Sequence, residues 1–145
     1  MISYEIAAAA TTTAPPERIF AVLDDFGRWP DWMPAFEHLK VELPRDATLG
    51  PGYSFRIRSG LVHTEMRVID YSPLARATAF RVSFPPLTGT NRCRVVPLGD
   101  GQYRIERVDS VDLPELLANL IDASQRERFA RLADEFLQAL KRTVE

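Results

Sequence analysis

From Asp112 to Glu145 the chain contains no glycine, and its one proline there, Pro114, sits where the first turn of a helix tolerates it. Asp112 is placed to cap that turn, with Glu115 three residues on, as in a capping box. Apolar residues then recur at helical spacing: Leu113, Leu116, Leu117, Leu120 and Ile121, followed by Phe129, Leu132, Ala133, Phe136, Leu137, Leu140 and Val144. At about 100° per residue, the apolar direction of the first group is offset from that of the second by more than a quarter turn. Ser124, Gln125, Arg126, Glu127 and Arg128 fill the gap. The spacing therefore predicts a short helix and a long one joined at a kink or break. The alternative is that Gln125 or Arg128 reaches the mouth of a cavity beneath. Either way, so long an apolar stripe needs a large apolar surface to lie on.

The rest of the chain supplies that surface as strands. Ile2, Tyr4, Ile6, Ala8 and Ala10 alternate with polar or small residues, giving a strand with one buried face. Ala14-Pro15-Pro16 ends it and starts a helix whose apolar side is Ile19, Phe20, Val22 and Leu23. Pro30 and Pro34 leave room for one short helical turn. A strand over Phe36 to Leu43 and a loop over Pro44 to Gly52 follow. From Tyr53 to Ser110 the period is two, broken at Gly60, Ser72-Pro73, Pro85 to Gly89 and Gly99-Asp100-Gly101. The inward set includes Tyr53, Phe55 and Ile57; Val62, Thr64, Met66 and Val68; Phe80, Val82 and Phe84; Asn91, Cys93 and Val95; and Tyr103 and Ile105. Short connections imply an antiparallel meander. The expected class is α+β: an antiparallel sheet of about seven strands wrapped on a long C-terminal helix, with two short helices between the first two strands.

Composition bounds the function. A chain of 145 residues with 46% hydrophobic and 26% charged content reads as one globular domain over residues 1–145. A net charge of −2 gives no general case for nucleic acid. No run approaches a transmembrane span, the Ala7–Ala10 tract is a poor signal peptide, and the lone Cys93 fits a reducing compartment, so a cytoplasmic protein is expected. His38 and His63, the only histidines, and Cys93 have no ligand spacing, so neither a metal nor a cofactor is expected. No nucleophile elbow or phosphate loop is present. Cys93 reads as a small buried hydrophobe rather than a nucleophile. An exposed strand edge would allow a homodimer.

Ala14-Pro15-Pro16-Glu17-Arg18-Ile19-Phe20, then Trp29-Pro30-Asp31-Trp32-Met33-Pro34, then Glu65 to Pro73 and Pro97 to Gly101, resemble the START-like (SRPBCC) superfamily, and within it the polyketide cyclase/dehydrase-like group. The likeness covers essentially the whole chain. It implies a helix-grip fold with a cavity between sheet and helix, and binding of a small hydrophobic or aromatic molecule that is polyketide-, lipid- or isoprenoid-like. On that reading Tyr53, Phe55, Met66, Phe80, Val82 and Tyr103 would form cavity walls, with Thr64 and Asn91 as polar contacts. Trp29 and Trp32 would either close the mouth or simply pack the short helix onto the sheet. Arg107 and Asp109 continue the inward phase of Tyr103 and Ile105. A paired charge there would give a polar end to an apolar pocket, able to orient a carbonyl or phenol or, in a cyclase or aromatase, to assist proton transfer. A bulge after Ile105 would instead put both in solvent and turn Val108 inward. Arg56, Arg58, Arg67, Arg81, Arg92, Arg94 and Arg104 fall on the outer phase with His63, Glu65 and Glu106. That face reads as cross-strand ion pairs or, alternatively, as a docking face for an acidic protein.

Overall fold

The computed structural model describes residues 2–118 and 123–145. Its strands are β1 (Ile2–Thr12), β2 (Lys40–Glu42), β3 (Ser54–Ser59), β4 (Val62–Ser72), β5 (Ala75–Val82), β6 (Leu87–Gly99) and β7 (Gln102–Leu113). Helices α1 (Pro16–Asp24) and α2 (Trp29–Trp32) lie between β1 and β2, and α3 (Glu115–Ala118) and α4 (Ala123–Val144) follow β7. The seven strands form one antiparallel sheet in the order β1-β7-β6-β5-β4-β3-β2. The sheet is curved, and β4 shifts register between Val68 and Asp70. This is the helix-grip arrangement expected of the sequence.

Two consequences of period-two patterning position the site. Along β1, exposure alternates residue by residue, with Ile2, Tyr4, Ile6, Ala8 and Ala10 turned inward. The β1–β7 register then runs unbroken from Ile2–Leu113 to Thr12–Tyr103, and β6 pairs β7 without a shift from Thr88–Asp112 to Pro97–Tyr103. No bulge follows Ile105, so Arg107 and Asp109 keep its inward phase.

Helix α4 lies on the sheet through the stripe its sequence spells out. Leu140 and Val144 are 0% exposed, as are Ile19 of α1 and Ile105 beneath them, and each such side chain contributes about 1.5–3 kcal/mol of burial. Lys141 and Arg142 in the last turn complement the helix dipole.

Four expectations are corrected. Asp112 does not cap a helix: β7 extends through Leu113, because pairing with β1 holds the chain extended, and Asp112 accepts a hydrogen bond from Ser3 Oγ. The strand over Phe36 to Leu43 shrinks to Lys40–Glu42. After Pro34, Ala35 takes φ 66°, and Phe36 and Leu39 make turns, their amides donating to Met33 O and Phe36 O, so that both side chains join the apolar interior. The turn ends at Pro86 rather than Gly89, which lies within β6. Phe84 leaves the sheet's phase once β5 ends at Val82, and it is 73% exposed. The expected junction between short and long helix, with Leu120 and Ile121, lies outside the described residues. Arg128 is exposed and Gln125 half-buried, and neither is among the described residues of the cavity wall.

Candidate functional site

Directly paired residues of adjacent strands point to the same side of a sheet, so register alone assembles the floor of the site. One row crosses five strands: Ile6, Asp109, Asn91, Thr78 and Val68. The row beside it holds Arg107, Cys93, Arg76 and Tyr71, and the row on the other side Val111, Gly89, Phe80 and Met66. Above these rows stands a cavity of about 460 Å³, roofed by Phe129, Leu132, Ala133 and Phe136 of α4 and flanked by Trp29 and Met33. That volume suits a small organic molecule. Gly89 keeps the floor low. A methyl group there would come within 2.0 Å of the Ser110 carbonyl and 2.5 Å of the Phe80 ring, so only glycine lets that ring lie against β6.

The polar end of the cavity is one ion pair. Arg107 Nε donates to Asp109 Oδ2 at 2.8 Å, and its guanidinium lies 3.9 Å from the centroid of the Phe136 ring. The contact follows from i, i+2 spacing on one strand face. Arg107 thus fixes one carboxylate oxygen and leaves the other free. Asp109 Oδ1 is buried and has no hydrogen-bond partner among the described residues. An unmet buried acceptor is costly, and ionising it more so. Burial accordingly pushes the Asp109 carboxyl above its ordinary value, against the opposing pull of Arg107. Asn91 and Thr78 extend the polar strip across the floor. Cys93, beside Arg107, has its thiol pushed up to about 11 by burial, which removes the thiolate a nucleophile needs.

A second pair closes the end of the cavity where α1 meets the β4–β5 hairpin. Arg76 grips Asp24 in fork fashion, Nε to Oδ1 at 3.0 Å and Nη2 to Oδ2 at 3.1 Å, and also donates to the Ser72 and Ala75 carbonyls. Its guanidinium stacks 3.7 Å from the Tyr71 ring centroid and 4.4 Å from that of Phe20. Every part of this arginine is engaged, so its role here is to hold the wall.

A family model described as polyketide cyclase / dehydrase and lipid transport matches residues 4–145. The chain belongs to that family. Solved structures share the fold of this cyclase/dehydrase family member at low identity. A hypothetical protein from Helicobacter pylori aligns with a TM-score of 0.76 at 12% identity, over 98% of this chain and 88% of its own. The Zhui aromatase/cyclase from Streptomyces sp. R1128 aligns at 0.68 and 16%, over 99% and 94%. A START superfamily protein from Mycobacterium smegmatis aligns at 0.64 and 18%, over 97% and 94%. No curated protein matches the chain by sequence.

In this family member the residues singled out from sequence divide into two groups. Trp29, Thr64, Met66, Phe80, Asn91, Arg107 and Asp109 come together on the cavity wall. The others stand behind or beside it. Phe55 stacks on Phe26 at 4.1 Å with Tyr53 alongside, forming an aromatic cluster under α2. Trp32 packs on Phe136 at 5.6 Å. Val82 lies at the end of β5, and Tyr103 packs against the core opposite Thr12. Trp29 both lines the cavity and packs as core: it is 8% exposed, edge-on to Phe26 and Phe55, and its Nε1 donates to Leu23 O at 2.9 Å. Met33, Phe36, Leu39, Leu132, Asp24 and Arg76 were not singled out. Arg76 was legible, because it continues the even-numbered phase of Phe80 and Val82 back through Thr78.

The outer face carries the expected ion pairs, Arg56 to Glu65, Arg58 to Glu42, and Arg94 and Arg104 to Glu106. Arg58 and Arg94 hold the Glu42 and Glu106 carboxyls below their ordinary values through hydrogen bonds. Among the described residues no cluster of three metal-ligating side chains occurs, and no helix is long and apolar enough to cross a membrane.

Proposed function

We propose that this protein binds a small, mainly apolar or aromatic molecule that carries an oxygen function, polyketide-, lipid- or isoprenoid-like in character. One observation carries the reading: Asp109, whose Oδ1 is buried without a partner, lines a mainly apolar cavity that also holds Asn91, Thr78 and Thr64. A ligand hydroxyl donating to the Asp109 carboxylate, or a ligand carbonyl accepting from it when it is protonated, would supply the missing hydrogen bond, while its hydrocarbon body displaces water from Met66, Phe80 and Phe136. The family description and the printed name of the Streptomyces aromatase/cyclase are in keeping with such a ligand.

The test is titration with naphthol and naphthalene, read by calorimetry. Naphthol should bind more tightly. Asp109→Ala should weaken naphthol roughly 5- to 30-fold, the worth of one buried hydrogen bond, and leave naphthalene unchanged. Equal affinities for the two compounds would refute the assignment.

A cyclase or aromatase is the catalytic form of this reading, favoured by a carboxyl held toward its protonated form beside a guanidinium. Asp109 would give its proton to a ligand carbonyl oxygen, and Arg107 would stabilise the carboxylate left behind. The cavity would meanwhile hold a flexible chain in a near-attack shape. Arg107→Ala should then abolish turnover while ligand binding persists; loss of binding alone would count against catalysis.

A further inference from the structure

The polar groups on the cavity floor are set apart by the strands that carry them. Asp109 of β7 is paired directly with Asn91 of β6, and Asn91 with Thr78 of β5; all three line the cavity. Directly paired side chains stand on one face of a sheet with Cβ atoms about 4.5–5.5 Å apart. Aspartate and asparagine share one length and branching, so their outer atoms reach equally far from the sheet. Thr78 is shorter. The row is bounded by apolar side chains, Ile6 on one side and Val68 on the other.

These groups do not satisfy one another. Asp109 Oδ1 has no partner, so the neighbouring Asn91 amide is not turned to it. Neither Asn91 nor Thr78 makes a side-chain hydrogen bond among the described residues. The other polar groups on the floor are placed differently. Arg107 is already bound to Asp109 and Arg76 to Asp24. Thr64 stands between Ile57 and Val82, with no polar neighbour paired to it.

A molecule that fills the space beneath Phe129 and Leu132 lies over this whole row. Hydrocarbon laid on an unmet polar group takes away its water and returns nothing, at a cost comparable to a lost hydrogen bond. One oxygen at Asp109 leaves Thr78 and part of Asn91 covered in that way. A second oxygen over Asn91 removes most of the loss. Meta oxygens on an aromatic ring are about 4.8 Å apart and point to the same side, which matches adjacent strands at about 4.7–4.9 Å. Ortho oxygens are too close together for that span, and para oxygens point opposite ways. The Asn91 amide both donates and accepts, so the second oxygen is a hydroxyl or a carbonyl. We propose, resting on the ligand reading above, that Asn91 is a specificity-determining residue. With Asp109 it selects a ring bearing two oxygen functions in meta relation, the oxygenated edge on β6 and β7 and the apolar edge under α4.

The test is calorimetric titration of the full chain with naphthalene, 2-naphthol, 1,3-dihydroxynaphthalene and 2,3-dihydroxynaphthalene. The 1,3 isomer should bind about 5- to 30-fold more tightly than 2-naphthol, the worth of one further buried hydrogen bond. The 2,3 isomer, with the same atoms but ortho oxygens, should show no such gain. Asn91→Leu should bring the 1,3 isomer down to the affinity of 2-naphthol and leave 2-naphthol unchanged. Naphthalene, which needs neither polar group, reports that the cavity of the variant is intact. Three results would each overturn the role of Asn91 and leave the ligand reading standing, with 2-naphthol still bound more tightly than naphthalene. The first is a 1,3 isomer no tighter than 2-naphthol, and the second is equal affinity for the two isomers. The third is an Asn91→Leu variant that holds naphthalene normally but loses 2-naphthol and the 1,3 isomer alike, since one oxygen would then bridge both groups. Equal binding of 2-naphthol and naphthalene by the wild type would overturn the ligand reading and the meta assignment together.

Discussion

The two halves of α4 rest on the same sheet and end in opposite results. Under the C-terminal half, Leu137, Leu140 and Val144 meet Val95 and Ile105, all at most 1% exposed. Under the N-terminal half, Phe129 and Leu132 are only half-buried, and a cavity separates them from Asp109, Asn91 and Thr78. Alternation and register are the same in both. What differs is the chemistry of the inward positions. Branched aliphatics interdigitate and close the gap. Arg107 packs on Phe136, but the shorter polar side chains of Asp109, Asn91 and Thr78 do not reach Phe129 and Leu132 above them, so that half stays open.

Truncation on each side of this divide should break the comparison most visibly. Leu140→Ala removes a fully buried side chain and should cost about 2–5 kcal/mol in urea unfolding. Leu132→Ala, facing space that already exists, should cost roughly 1 kcal/mol or less. Equal costs would mean the two halves are packed alike.

Converting the open half to the chemistry of the closed one sharpens the point. Asp109→Leu alone leaves Arg107 largely buried and unpaired, and should destabilise by about 3 kcal/mol. Adding Arg107→Met should recover most of that loss, because an apolar pair needs no counter-charge. A double variant as unstable as the single would show that the ion pair itself holds this half together.

Protonation gives a smaller effect with a definite sign. The folded pKa of Asp109 is raised above its ordinary value of 3.8. Between those two values the folded chain binds more protons than the unfolded one, so this group's contribution is fully present below 3.8 and is lost as pH rises through the raised folded value. Asp109→Asn should flatten that segment of a plot of stability against pH. Glu42 and Glu106, with lowered values, act in the opposite sense and are common to both proteins, so the difference between the two curves isolates Asp109. A difference that grows in the other direction would contradict the assignment.

The smallest change belongs to the outer face. Arg94→Ala breaks a solvent-exposed pair with Glu106 and should shift stability by only about 0.2–1 kcal/mol, an effect that salt erases.

Much of this was readable in the chain. Six strand residues singled out from sequence meet at the cavity, because period-two alternation fixes facing and Arg107 simply follows Ile105 in phase; Trp29 joins them from α2. What stayed hidden depends on contacts distant in sequence. Phe36 and Leu39 have a strand-like pattern, yet tertiary burial folds them into turns beside the cavity. Asp112 has the local chemistry of a helix cap, but pairing with β1 outweighs it. Tyr53 and Phe55 point inward as expected; Phe26, from another segment, covers them, and no local pattern announces that stacking.

An oxygen-bearing apolar molecule in the open half of the grip remains the proposed occupant. Native mass spectrometry of the full chain mixed with naphthol tests it most directly. One naphthol should be retained per protein, and retention should fall sharply in Asp109→Ala while naphthalene is held equally by both proteins. Naphthol bound equally by the wild type and Asp109→Ala, or by neither, would contradict it.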